Sequence, residues 1–438
     1  MRLMELEAIR ESAEPVRCVV GNPGARPGLV HAATGLAHGG CLERYVTDIA
    51  LGEASAMIRL AHWMPGRLGR SLETGTALRG LPVGIDPRRV ARTAGALGWA
   101  DLAARRGLLP SITHDHLQSI GRKAFDRGFA RSLRPTDDLA IVSYGTAETS
   151  LKRSAELGIR SLLYFPVAHH GYARRLLEEE ARLQPEYAGS LQFPSTTRRL
   201  DLTFDRELSR ADSIWGLSSF HVSTFAAMGV DPSKFLTIPL GVDAHLFSPE
   251  RLERGVDGSH GCFRVLFVGQ VTQRKGLSYL IDGFRKAAIP NSELLLVGGI
   301  VGTNPPWRGL AQVRHLPPQA RFHLPAIYAS ADVFVMPSLI EGFCLTAMEA
   351  MCSGLPIIVT PHTFGDDVVR DGMEGWTVPI RDSDQIADHL RQLHADRESA
   401  FRMGQNARRR AEQYSWARLE RTLVAAVCRD GSTNPCLT

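Results

Sequence analysis

Lysine is scarce in this chain. Of 51 basic residues in 438, only Lys123, Lys152, Lys234, Lys275 and Lys286 are lysines. A skew toward arginine follows genomic base composition, but an arginine-rich surface also suits an anionic lipid or a phosphate-bearing acceptor. The formal net charge of +5 is too small for this length to indicate nucleic-acid binding. The seven cysteines (Cys18, Cys41, Cys262, Cys344, Cys352, Cys428, Cys436) are odd in number and form no CxxC pair. That excludes a disulfide framework and a structural zinc, and it fits a reducing, cytoplasmic compartment. No run approaches about 18 uninterrupted apolar residues, so no membrane span is expected. Charges interrupt the first ten residues, which do not read as a signal peptide. Peripheral attachment to the inner face of a membrane stays compatible with all of this. Internal repeats and low-complexity blocks are also missing.

What is present is an alternation of short β-rich runs with helical stretches, the signature of parallel α/β architecture. In the first half, strands are expected at residues 16–20, 139–143, 161–165, 213–215 and 235–238. A glycine-rich turn, Gly21 to Gly28, follows the first of them. Helices are expected at 29–38, 171–183 and 220–228. The segment 239–249 breaks the pattern and 251–260 reads as a linker. A second series then sets strands at 264–268, 293–297, 332–336, 355–359 and 376–379, with helices at 277–286, 384–393, 400–413 and 416–428. The fold class is therefore α/β, with two doubly wound, Rossmann-like domains. Boundaries are expected at 1–242 and 243–412, with 413–438 as a C-terminal helix and tail.

Two segments carry chemistry. The first is Gly269-Gln-Val-Thr-Gln-Arg-Lys-Gly276, directly after a strand and before a helix. Gly269 lets backbone approach a phosphate, while Arg274 and Lys275 supply charge. The spacing is neither a Walker loop nor a dinucleotide fingerprint. The second runs from Glu341 to Glu349, with Glu341 in a loop at a strand's carboxyl edge and Glu349 inside the following helix. Ligands bind at that edge in open α/β sheets, and a helix start there favours an anion. Two carboxylates beside an anion site would repel the anion unless each holds hydroxyl groups. A nucleotide sugar meets both demands.

Together the segments resemble the retaining glycosyltransferases of family four, which have the GT-B fold. That family carries a glycine, a basic loop ending in Lys-Gly, and a Glu-x7-Glu segment. Pro239 to Asp243 with Phe247, Tyr328 to Ser338, Gly354-Leu-Pro356, and Gly375 with Pro379 agree as well. The likeness is strong over about residues 205–415 and weak before. It implies two Rossmann-like domains facing across a cleft. It also implies transfer of a sugar, with retention of configuration, to a glycan, glycolipid or small-molecule acceptor, in bacterial polysaccharide biosynthesis. No cofactor or metal is expected, a nucleotide-diphosphate sugar being the co-substrate. The other readings are a sugar-nucleotide binder without activity and a GT-B epimerase.

The resemblance further implies roles. Lys275 and Arg274 would neutralise the leaving diphosphate, with Gly269 and Gln270 beside them. Backbone N–H groups of Gly342, Phe343, Cys344 and Leu345 would hold sugar and phosphate. Glu341 would contact sugar hydroxyls and Glu349 the ribose, while His315 and Leu316 would receive the base. His169 or His170 would face the donor sugar, and Gly21 and Gly24 would line an acceptor or phosphate loop. Two departures stand out: Gln270 replaces a customary arginine, and Cys344 a customary glycine. His114-Asp-His116 reads as a solvated loop rather than a metal pair, and Asp382-Ser-Asp384 as a helix cap. The run Glu178-Glu-Glu180 reads as a helix face in water.

Overall fold

The computed structural model describes residues 16–24, 26–48, 82, 84–93, 111–191, 198–248, 261–303 and 305–428. The linker expected at 251–260 lies outside these residues. The chain divides into two compact units, one of residues 1–164, 203–214 and 420–438, the other of 165–202 and 215–419.

Thirteen strands are formed among the described residues. The first seven are β1 (Cys18–Asn22), β2 (Leu42–Thr47), β3 (Val90–Arg92), β4 (Leu139–Ser143), β5 (Arg160–Tyr164), β6 (Ser213–Gly216) and β7 (Phe235–Thr237). The rest are β8 (Phe263–Val268), β9 (Ser292–Val297), β10 (Val313–Leu316), β11 (Val333–Met336), β12 (Ile357–Val359) and β13 (Gly375–Thr377). One sheet has the order β3-β2-β1-β4-β5-β6-β7 and the other β10-β9-β8-β11-β12-β13. Both step outward from their first strand to one edge, then return to build the other. This is the Rossmann order, with its reversal between β1 and β4 and between β8 and β11.

The central strands are mostly apolar because helices cover both faces. In β4 and β11 every residue is buried. Helix Leu277–Ala287 buries Leu277, Leu280, Ile281 and Phe284, at the i, i+3, i+4, i+7 spacing of one helical face. Gly283 on that helix lets helix Ser383–Ala395 approach, since a Cβ there would lie 2.7 Å from Ile386 Cγ2. Strand β2 escaped the sequence pattern because Glu43 and Arg44 interrupt its apolar alternation. Arg44 is nonetheless buried, its charge paired with Asp137.

Elements expected from pattern recur with shifted ends. Gly21 falls inside β1 rather than in a turn, and its missing Cβ makes room for the Phe129 ring, 2.8 Å from where it would sit. Gly24 has φ +84 and donates its N–H to Asp48 Oδ1 at 3.1 Å. The His114-Asp-His116 segment is not a loop but the first turns of helix Ser111–Ser132. The side chains of His114 and His116 lie outside the described residues. Asp382 caps helix Ser383–Ala395 by accepting from Gln385 N at 2.9 Å.

Candidate functional site

The reversal between β8 and β11 brings the two motif segments together. Val265 and Leu266 pair with Val333 and Phe334, so the loops leaving both strands emerge side by side. Gly269 ends β8 at φ +153, and Gly298 (φ +145) ends the neighbouring β9. A Cβ on Gly298 would sit 1.8 Å from Gly269 O, so the two loops touch only because glycine is there. Past the loop, Gly276 (φ +72) starts helix Leu277–Ala287, where a Cβ would meet Pro337 O at 1.9 Å. Leu339 N donates to Arg274 O at 2.9 Å. These close approaches fix the basic loop against the loop that carries Glu341.

Three charges then converge. Lys275 Nζ and Arg274 Nη1 each lie 2.7 Å from Glu341 Oε1. Arg274 Nη1 also donates to Ile340 O at 3.0 Å, and Ser338 Oγ stands 3.4 Å from Glu341 Oε1. The three side-chain contacts to the Glu341 carboxylate all fall on Oε1. Burial pushes the Glu341 carboxyl up, but the Arg274 and Lys275 charges outweigh it and hold it below the usual carboxylate range. The cluster carries one net positive charge. Gln270, by contrast, is exposed.

Beside this cluster, Gly342, Phe343 and buried Cys344 lead into helix Leu345–Cys352. No side chain caps this helix. Among the described residues, the backbone N–H groups of Gly342, Phe343, Cys344 and Leu345 donate to no acceptor. Four free donors at a helix start beside a net cation are a geometry suited to an anion. Gly342 is wedged in place: a Cβ would lie 2.2 Å from Pro166 O and 3.3 Å from His221 Cδ2. Its carbonyl accepts from Ser218 Oγ at 3.0 Å.

Glu349 sits one turn into the helix, its Oε2 accepting from Tyr328 OH at 3.0 Å. Burial pushes its carboxyl up to about 7, against the lowering effect of the Tyr328 hydroxyl and the Arg321 charge. A carboxyl kept near neutrality is one that gains from new hydroxyl donors. His315 on β10 bonds through Nε2 to Gly298 O at 2.8 Å, its ring 5.8 Å from that of Trp307. Leu316 ends β10 and pairs with Val297.

His169 and His170 are both buried, with rings stacked 4.3 Å apart. His169 caps helix His170–Leu183, its Nδ1 accepting from Gly171 N at 3.0 Å. Burial, reinforced by His170, lowers the His169 pKa to about 4. Gly21 and Gly24 belong to the other unit.

Sequence reasoning missed three features. The reading of Glu178–Glu180 as solvated is corrected at its last residue: Glu180 is fully buried. Its Oε1 accepts from Gln273 Nε2 at 2.7 Å and Tyr279 OH at 2.9 Å, and its Oε2 from Arg381 Nε at 2.8 Å. It thereby braces the basic loop, which also takes a bond from Gln273 N to Ser190 Oγ at 2.9 Å. Helical spacing was the available signal, because Glu180 shares a face with buried Ala173 and Leu177. The second is His221, fully buried, which accepts from Leu217 N through Nδ1 (3.3 Å) and so donates from Nε2 to Val167 O at 2.9 Å. Burial lowers its pKa to about 4, so it stays neutral. The third is Trp307, buried beside His315 with an indole N–H that meets no acceptor among the described residues.

Residues 259–410 match the family model described as glycosyl transferases group 1. A D-inositol 3-phosphate glycosyltransferase of Corynebacterium efficiens is 30% identical over 226 residues, 47% of this chain and 53% of that protein. An MMP alpha-(1->4)-mannosyltransferase of Mycolicibacterium hassiacum is 31% identical over 205 residues, 45% and 48% of the two chains. The chain thus spans about half the length of the curated relatives it matches. In fold, it resembles a sucrose-phosphate synthase from Thermosynechococcus elongatus (TM-score 0.59, 18% identity, 94% and 98% covered). Anabaena HepE, solved in complex with UDP, gives TM-score 0.59 at 14% identity, with 94% and 99% covered. Among the described residues, no helix is long and apolar enough to cross a membrane.

Proposed function

We propose that this chain, whose residues 259–410 match the group 1 glycosyltransferase model and whose fold is GT-B, moves a sugar from a nucleotide-diphosphate sugar to a hydroxyl of a glycan, glycolipid or small-molecule acceptor. The observation that carries this reading is the Glu341–Arg274–Lys275 cluster beside four free backbone N–H groups. As the glycosidic bond breaks, negative charge builds on the diphosphate. Lys275, Arg274 and the N–H groups of residues 342–345 meet it with dipoles already in place. Glu341 keeps both cations aligned while unliganded, and its Oε2 is available to a sugar hydroxyl. Glu349 takes the ribose hydroxyls. Transfer with retention is what the family resemblance implies, and front-face attack by the acceptor is the simpler route.

The relatives' names put an inositol phosphate and a mannosyl donor first among acceptors and donors to assay. The test is a thermal-shift screen against nucleotide sugars, followed by turnover of Lys275→Ala. A selective shift for one donor and a loss of about 10²–10³ in rate are expected. Wild-type turnover in Lys275→Ala would sink the proposed role. An epimerised sugar, rather than hydrolysed donor, among the products formed with no acceptor present would instead identify an epimerase.

A further inference from the structure

We propose that the groove between helices Ser111–Ser132 and Glu148–Leu157 docks the protein onto an anionic lipid surface. The groove has a volume of about 650 Å³, and Arg127, Arg131, Lys152 and Arg153 line it with Glu156. Glu156 is shared by two of these cations, at 3.3 Å from Arg153 and 3.9 Å from Lys152. Arg127 and Arg131, one turn apart on the same face, meet no carboxylate within ion-pair distance among the described residues. The lining therefore carries three uncompensated positive charges, all exposed.

The form of the groove decides among anions. A small soluble anion is held by convergent, buried donors. Exposed charges around an open groove give such an ion little, because water and salt screen each contact. A lipid surface presents many phosphates at once, so weak contributions sum. A single-stranded nucleic acid would call for aromatic rings among the cations, and the groove has none.

A second observation points the same way. Ile120 lies seven residues before Arg127 on the same helical face and is 41% exposed. Exposed Lys123 stands between them. A cationic stripe ending in an exposed aliphatic side chain matches the two parts of a headgroup layer, charge outside and hydrocarbon beneath. This proposal does not depend on the transfer reading, since these residues belong to a different unit from the Glu341 cluster.

The experiment is sedimentation of the full chain with vesicles of phosphatidylcholine, with and without phosphatidylglycerol. Binding is expected only with the anionic lipid. It should vanish near about 1 M salt, where the screening length is about 3 Å. Arg127→Gln with Arg131→Gln should weaken partition about thirtyfold, from about 1 kcal/mol per basic residue, with circular dichroism and donor turnover unchanged. Ile120→Ser should weaken it without changing its salt slope. Arg402→Gln with Arg409→Gln, two exposed arginines of the other unit, should leave it unaltered. Equal binding to phosphatidylcholine alone, or equal loss in both arginine pairs, overturns the proposal. So does release of the vesicles by millimolar inorganic phosphate at constant ionic strength, which would make the groove a small-anion site.

Discussion

Gly342→Ala is the most demanding perturbation of the candidate site, because a single methyl group is opposed by backbone. The added Cβ would stand 2.2 Å from Pro166 O and 2.8 Å from Pro166 C, neither of which can rotate away. Ordinary contact with a carbon begins near about 3.5 Å, so the loop must retreat by about 1 Å. Overpacking of this kind costs about 1–3 kcal/mol. The retreat would also pull the Gly342 carbonyl from Ser218 Oγ and displace the N–H groups of residues 342–345. A misplacement of about 1 Å costs roughly 10² in rate. The assay pairs chemical denaturation with donor-dependent turnover, and both should fall. Gly158→Ala is the control: it is strained by φ +72 but meets nothing within 4 Å, so it should lose stability alone. A Gly342→Ala protein with wild-type stability and turnover would refute both the wedge and the anion site built on it.

Other outcomes follow from the charges. Glu349, held near 7 by burial, is protonated in the free protein below that pH. Ribose hydroxyls donate to the ionised form, so donor affinity should rise with pH from about 6 to 8 and flatten above; calorimetry across that range should lose the slope in Glu349→Gln. The same raised pKa makes the folded state bind more protons than the unfolded one between about 4.5 and 7, so this group's contribution to stability falls as pH rises through that window. Urea denaturation of Glu349→Gln against wild type at the two ends should show a narrowing difference at acid pH. Glu180→Ala removes the shared acceptor of Gln273, Tyr279 and Arg381 and should cost about 3–5 kcal/mol in the same assay, the range for breaking a buried ion pair. A surface-like loss under about 0.5 kcal/mol would return Glu180 to the solvated face first assigned to it.

Much of the second sheet was legible in the sequence because β8, β9, β11 and β12 are built on apolar runs and its turns are marked by glycine. The Gly269 and Lys275-Gly276 loop and the Glu341–Glu349 segment were found the same way. The first half was harder. Strand β2 hides behind Glu43 and Arg44, whose compensation by Asp137 lies 93 residues from Arg44. Glu180 looked solvated because an acidic triplet is usually so, and its three donors come from residues 93 to 201 positions away.

The sequence alone determined the residue types of the site: a glycine, two cations, two carboxylates and a helix start, each set by local spacing. Tertiary structure decided what those groups do to one another. The strand reversal places two loops from distant segments in contact, so that Lys275, Arg274 and Glu341 become one charged cluster. Only packing decides which donors stay free, which carboxyl stays ionised and which is pushed to neutrality. Burial and distance are properties of neighbours in space, and those neighbours are separated along the chain by tens of residues.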